Sequence, residues 1–187
     1  MLADVLQDRA SLYVSGAMTA PERENFELVL EFHTELRALV AGLQDTAAVA
    51  IRATVPAILP PATLKERLFA ALAPQAKPEA EPMVVTNSAG TVQWINPAFT
   101  ALCGYTLAEL RGRKPGALLQ GPQTDRAAVD RIRTALHDLR PCREELLNYH
   151  KDGSPYRVDV RITPILDDER QPLWFVAQER KLADVAA

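Results

Sequence analysis

Few side chains in this sequence are equipped for chemistry. The 187 residues include two cysteines and three histidines. Cys103 and Cys142 lie 39 positions apart. That is neither a disulfide framework nor the paired spacing of a zinc site, and it suits a reducing compartment. His33 stands alone on an amphipathic run. His137 sits beside Asp138 and close to Arg140, which is a solvated setting. Glu144 and Glu145 are adjacent in a strand-like segment, so they face opposite ways and cannot act as a catalytic pair. There is no Ser/His/Asp order, no phosphate-cradling glycine loop and no metal-ligand spacing. The expectation is a protein without catalytic activity.

Charge excludes further classes. The 21 Lys+Arg against 24 Asp+Glu leave a net charge of −3, with no basic excess to neutralise a phosphate backbone. No direct nucleic-acid partner is expected. The opening MLADVLQDRASLYVSG carries acids where a leader peptide would be apolar, and no apolar run reaches the ~18 residues a membrane span needs. These features predict a cytoplasmic protein.

Two halves differ in composition. Residues 1–74 hold 9 acids and 6 bases and only two of the eight glycines, Gly16 and Gly42. Glycine punctuates strands and turns, so the first half reads as helical and the second as mixed α and β. Residues 75–82, bracketed by Pro74 and Pro82, form a proline-rich linker, leaving 83–182 as a second domain and 183–187 as a tail.

In the first half, residues 3–15 predict a helix stopped by Gly16. Thr19-Ala20-Pro21-Glu22 is a capping box with proline in the first turn. The run it opens carries Phe26, Val29, Leu30, His33, Leu36, Leu39 and Val40 at three- and four-residue steps, which predicts one helix over that span. A third covers about 45–54, and Pro60-Pro61 opens a detached fourth with Leu64, Leu68, Phe69 and Leu72 on its apolar side. That side either returns to its own bundle or covers a partner.

The second half alternates differently. Strand-like runs at Met83–Thr86 and Thr91–Ile95 flank Asn87-Ser88-Ala89-Gly90, a hairpin signal. Asn96-Pro97 opens a short helix ending at Gly104, Thr106–Glu109 is a second capping box, and a longer helix spans about 124–138. Strands follow at Cys142–Tyr149, Pro155–Ile165 and Leu173–Arg180. The order predicts an α+β domain with a five-stranded antiparallel sheet and short helices on one face.

Both halves resemble known families. LYVSGAMTAPERENFELVLEFHTELRALV followed by PPATLKERLFAAL is similar to the cytoplasmic helical domain of anti-sigma factors. That resemblance implies a sigma factor of the extracytoplasmic-function type as partner, clasped with the help of Leu64, Leu68, Phe69 and Leu72. Zinc-binding members carry a His-x3-Cys-x2-Cys set. Here the aligned positions are Val29, His33 and Leu36, which cannot form a tetrahedral site, so no zinc is expected.

The segment from INPAFTALCGYTLAEL to FVAQER resembles a PAS domain of the branch that includes the flavin-binding LOV photosensors. LQGPQTD, LLNYHKDGSPY and FVAQER carry the likeness in order. The resemblance places Gln120, Arg133 and Asn148 on flavin-contacting positions. It puts Glu179 where LOV domains have glutamine, with Gln178 beside it, and Val158 where they have a second asparagine. Cys103 would face the pocket. The adduct motif GRNCRFLQG is replaced by GRKPGALLQG over 112–121, without cysteine, so no photoadduct can form there. Half a hydrogen-bond set would leave the flavin edge underpaired at about 1–3 kcal/mol per group, which argues against tight FMN binding. Gln120 capping a loop, Arg133 pairing with Asp130 and Asn148 bonding within a strand are the alternatives. Haem needs a histidine on the long helix, and solvated His137 argues against it. PAS sheets often pair in the family, so a homodimer is expected. Together the two resemblances imply a PAS sensor that controls an anti-sigma-like helical domain; the alternatives are a flavin photosensor without the adduct cysteine and a PAS dimerisation module with no small ligand.

Overall fold

The computed structural model describes residues 3–54 and 80–182, and the chain divides into two compact units, Met1–Pro78 and Glu79–Ala187. The apolar helix side with Leu64, Leu68, Phe69 and Leu72 lies outside the described residues.

Within the first unit, α1 (Asp4–Ser15) ends where Gly16 adopts φ 72° and its N–H reaches the Leu12 and Tyr13 carbonyls. Glycine takes this left-handed conformation without steric cost. At the start of α2 (Ala20–Phe32), the Thr19 N–H and hydroxyl donate to the Glu22 carboxylate at 2.8 and 2.6 Å. Those bonds hold the Glu22 carboxyl below its ordinary range. The expectation of one helix through residue 40 is corrected: the chain breaks at His33 (φ −99°, ψ 94°), and α3 (Thr34–Thr54) runs on through Gly42 without interruption.

The break is stabilised on both sides. Nδ1 of His33 accepts from the Leu36 N–H at 3.3 Å, an N-terminal cap for α3. The Arg37 guanidinium donates to the Leu30 and Glu31 carbonyls at 2.7 and 2.6 Å. Terminal carbonyls of α2 that would otherwise be orphaned are thereby satisfied. His33 is a helix cap. Leu6, Ala10, Phe26, Val29, Leu36 and Val40 form the small core, while Val49 and Ile51 are 70% and 60% exposed.

The second unit is an antiparallel sheet of order β2-β1-β5-β4-β3 with four helices between β2 and β3. Its strands are β1 (Met83–Asn87), β2 (Val92–Ile95), β3 (Cys142–Tyr149), β4 (Pro155–Leu166) and β5 (Pro172–Lys181). The helices are α4 (Pro97–Cys103), α5 (Leu107–Leu110), α6 (Gly116–Leu119) and α7 (Arg126–His137). The α6 turn, which starts after Pro115, was not anticipated from the sequence; four residues are too few to show a periodicity.

Side-chain caps place these short helices. Asn96 Oδ1 accepts from the Phe99 and Met83 N–H groups at 2.9 Å each, and its amide donates to the Glu81 carbonyl at 2.7 Å. One buried side chain therefore joins α4 to β1. Thr106 and Glu109 form the second capping box. With Lys151 Nζ at 2.6 Å from Glu109, the Glu109 carboxyl is pulled down to about 2 by Lys151 first and then by Thr106. Glu81 and Pro82, the last residues of the proline-rich stretch, are tied in as well: the Glu179 N–H donates to the Pro82 carbonyl at 2.8 Å.

Apolar residues collect on the helix side of the sheet. Val84, Val92, Phe99, Leu110 and Leu119 form one cluster; Leu102, Val129, Leu146, Val158 and Phe175 anchor another. Side chains alternate along each strand. In β5 this sends Phe175, Ala177 and Glu179 toward the helices, and Val176, Gln178 and Arg180 to the opposite face.

Candidate functional site

The strand register gathers polar groups on the inner face of the sheet. Asn148 of β3 stands opposite Tyr156 of β4, and Glu179 of β5 stands opposite Val160. All three are enclosed, with exposures of 3%, 1% and 4%. Each has a side-chain atom without a hydrogen-bond partner: Asn148 Oδ1, the Tyr156 hydroxyl and Glu179 Oε2. A buried orphan costs about 1–3 kcal/mol, and native structures hold few of them. Three on one face of one sheet mark a place where the fold leaves binding capacity unused.

Electrostatics bind this set together. Burial alone pushes the Glu179 carboxyl up to about 7. The Tyr156 phenol is raised by burial first, then by the charges of Glu179 and Cys103. Asn148 lies close enough to oppose that shift, though no aligned bond joins it to the hydroxyl. Cys103, at the end of α4, is fully enclosed, and its thiol is raised chiefly by burial, with Glu179 and Glu109 adding to the effect. Such a thiol stays protonated and is a poor nucleophile. The His150 ring stacks on Tyr156 with centroids 4.2 Å apart.

The residues singled out by sequence separate into two groups. Asn148, Glu179 and Cys103 come to the interior, each in electrostatic contact with Tyr156. Gln178, adjacent to Glu179, lies on the other face of the sheet, so Glu179 is the residue of the pair that points inward. The Gln120 side-chain amide folds back against Gly116 at the start of α6. Arg133 is exposed on α7 and pairs with Asp130 at 3.0 Å. His137 is 89% exposed beside Asp138. Val158 is fully buried opposite Leu146. Cys142 is free and half-buried.

Tyr156 was not found by sequence reasoning. Its signal was available: a tyrosine on the same alternation as inward Val158 and Val160 places a hydroxyl inside an apolar wall. A separate cleft of about 800 Å³ opens along β3. Its arginines Arg131, Arg143, Arg157 and Arg180 are already paired with Glu144, Asp159, Glu145 and Asp159 respectively, which leaves little charge for a ligand.

The PAS domain model matches residues 80–179. The chain belongs to the PAS domain family. Its PAS domain is 32% identical over 99 residues to the nitrogen fixation regulatory protein of Klebsiella pneumoniae, covering 53% of this chain and 20% of that protein. It is 35% identical over 101 residues to a blue-light-activated histidine kinase of Rhizobium johnstonii (52% and 29% covered). Phototropin-2 of Oryza sativa subsp. japonica is 37% identical over 86 residues (46% and 9% covered). The chain thus spans less than a third of each of these relatives.

Among solved structures, the light state of the blue-light photoreceptor Aureochrome1 LOV superposes with a TM-score of 0.54 at 28% identity, covering 56% of this chain and 84% of that one. The domain is a PAS domain of the LOV type. On the inner face of its sheet Asn148 offers an acceptor, Tyr156 a hydroxyl and Glu179 a carboxyl. Residues 112–121 carry no thiol.

Proposed function

We propose that this protein is a non-catalytic sensory regulator of transcription. Its PAS domain reads a small molecule in its core and controls the helical unit, which binds a sigma factor of the extracytoplasmic-function type. The observation that carries the sensing half is the set of unpaired buried atoms on Asn148, Tyr156 and Glu179. A bound molecule that pairs with them gains those hydrogen bonds, and it can shift the helical unit only through different affinity for its two states. The sigma-factor half rests on the resemblance of 5–73 alone. Assembly as a homodimer through the PAS sheet is part of the same reading.

Co-purification of the full chain with host sigma factors tests the coupling. A stable complex that changes with PAS occupancy is expected; no association under several growth conditions removes the anti-sigma role. Light scattering tests the dimer, with a strict monomer at high concentration counting against it.

A second reading, a flavin photosensor without the adduct cysteine, is favoured by Asn148 and Glu179 on the ring-edge positions. A flavin would supply light absorption and electron uptake. Asn148, Tyr156 and Glu179 would orient its polar edge, and the α4 side of the core would keep water from it. Arg133, engaged with Asp130, would have to turn to meet a phosphate. The absorption spectrum of the purified protein decides: flavin bands support this reading, and their absence removes it together with haem.

A further inference from the structure

We infer that the core site takes an uncharged ligand which presents a hydrogen-bond acceptor to Glu179, and that the protonated carboxyl makes this contact, so occupancy falls as Glu179 ionises. This deepens the sensing role proposed above and rests on it. Glu179 is the only one of the three orphaned side chains that can change charge near neutrality. It is 4% exposed, and Oε2 has no partner.

The groups facing it offer no compensation, and His150, stacked on Tyr156, adds no pull on a carboxyl that shifts through burial alone. Cys103 from α4 and Tyr156 from β4 are neutral, with the phenol and thiol both raised. Asn148 from β3 is neutral too, and Tyr105, beyond α4, contributes only weakly through Tyr156. The nearby carboxylate, Glu109, is held by Lys151 and Thr106. Helix α7 presents Ala128, Val129 and Ala135 to the core. Lys181, two residues along β5, is exposed and does not pull on Glu179, whose carboxyl shifts through burial alone.

Among the described residues no cation pairs with Glu179. An ionised Glu179 therefore relies on whatever water reaches it, and a neutral ligand displaces that water. Neutral Glu179, by contrast, donates an O–H to the ligand while Asn148 Oδ1 accepts from it. Above neutrality, ligand uptake and proton uptake are then coupled, and the PAS core responds to pH as well as to ligand concentration. Well above pH 7 the carboxyl gains close to one proton on binding and returns it on release; well below pH 7 it is already protonated and no proton moves.

Riboflavin is the probe, since it stays uncharged between pH 6 and 8.5. The full chain, freed of any bound chromophore, is titrated by fluorescence quenching at both pH values. With a carboxyl at about 7 and binding confined to its protonated form, Kd should rise about thirtyfold from pH 6 to pH 8.5. In Glu179→Gln the ratio should fall to about one. A wild-type Kd that does not change, or tighter binding at pH 8.5, overturns the inference. Infrared spectroscopy of the ligand-free chain separates this from the flavin reading. If riboflavin fails to bind at either pH, the flavin reading fails. A protonated-carboxyl band that titrates near pH 7 and is missing from Glu179→Gln still supports the proton link, and no such band at pH 6 refutes it.

Discussion

The two units bury polar groups very differently. Among the described residues, the helical unit buries only apolar side chains, and its polar ones serve at surfaces and helix ends. The PAS unit buries Asn96, Thr124, Asn148, Asp159 and Glu179, among others. Asn96 makes three bonds. Thr124 Oγ1 accepts from Gly121 and donates to the Leu147 carbonyl at 2.6 Å. Asp159 is held by Arg143 and Arg180, and these bonds pull its carboxyl down. Asn148 and Glu179, with Tyr156, keep unpaired atoms. Burial that serves the fold is satisfied within the fold. Burial that is left open marks the region on which the proposed sensing role rests.

The sharpest way to break this distinction is to remove a satisfied group. Asn96→Ala should cost about 3 kcal/mol in denaturant unfolding, because it deletes a helix cap and strands the buried Met83 N–H. A loss below 1 kcal/mol would mean that the buried bonds of Asn96 are not structural.

Removing an unsatisfied group should act in the opposite direction. The raised Glu179 carboxyl favours the folded state fully below the ordinary carboxyl range, and that advantage is lost as pH rises to about 7. Glu179→Gln should therefore match wild type near pH 4.5 and exceed it at pH 8.5 by roughly 2–3 kcal/mol. Melting temperatures across that range give the sign. A variant less stable than wild type at pH 8.5 would place Glu179 among the satisfied structural groups.

Packing supplies a smaller effect. A Cβ at Gly121 would overlap the Tyr149 ring, whose hydroxyl accepts from the Gln123 N–H at 3.2 Å. Gly121→Ala should cost about 2 kcal/mol and alter the near-ultraviolet tyrosine signal. In the helical unit, Thr19→Ala should cost about 1 kcal/mol of local stability at α2, read by hydrogen exchange, without changing the PAS unit's melting.

Much of the PAS fold was legible because its signals are local. Capping boxes, the Asn87–Gly90 turn and period-two alternation each involve residues within a few positions of one another, and β3 has the bounds read from the sequence. The break at His33 was hidden because the apolar spacing continues across it. What ends α2 is a side chain from the next helix, Arg37, reaching back to two carbonyls. Cys103 and Asn148 were singled out through family likeness and lie in the core. Tyr156, equally central, was passed over because a tyrosine in a strand is ordinary until its neighbours are known.

The sequence by itself determined the two compositional halves, the caps, the strand pattern and the lack of cysteine at the adduct and zinc positions. Each of these depends on residue identity and short-range spacing. Tertiary structure alone decided that Glu179 faces the core while Gln178 turns away, that Arg133 is engaged on the surface, and that Asn148, Tyr156 and Glu179 are enclosed with atoms left over. These outcomes depend on strand register and burial, where one residue's shift would exchange the two faces of the sheet.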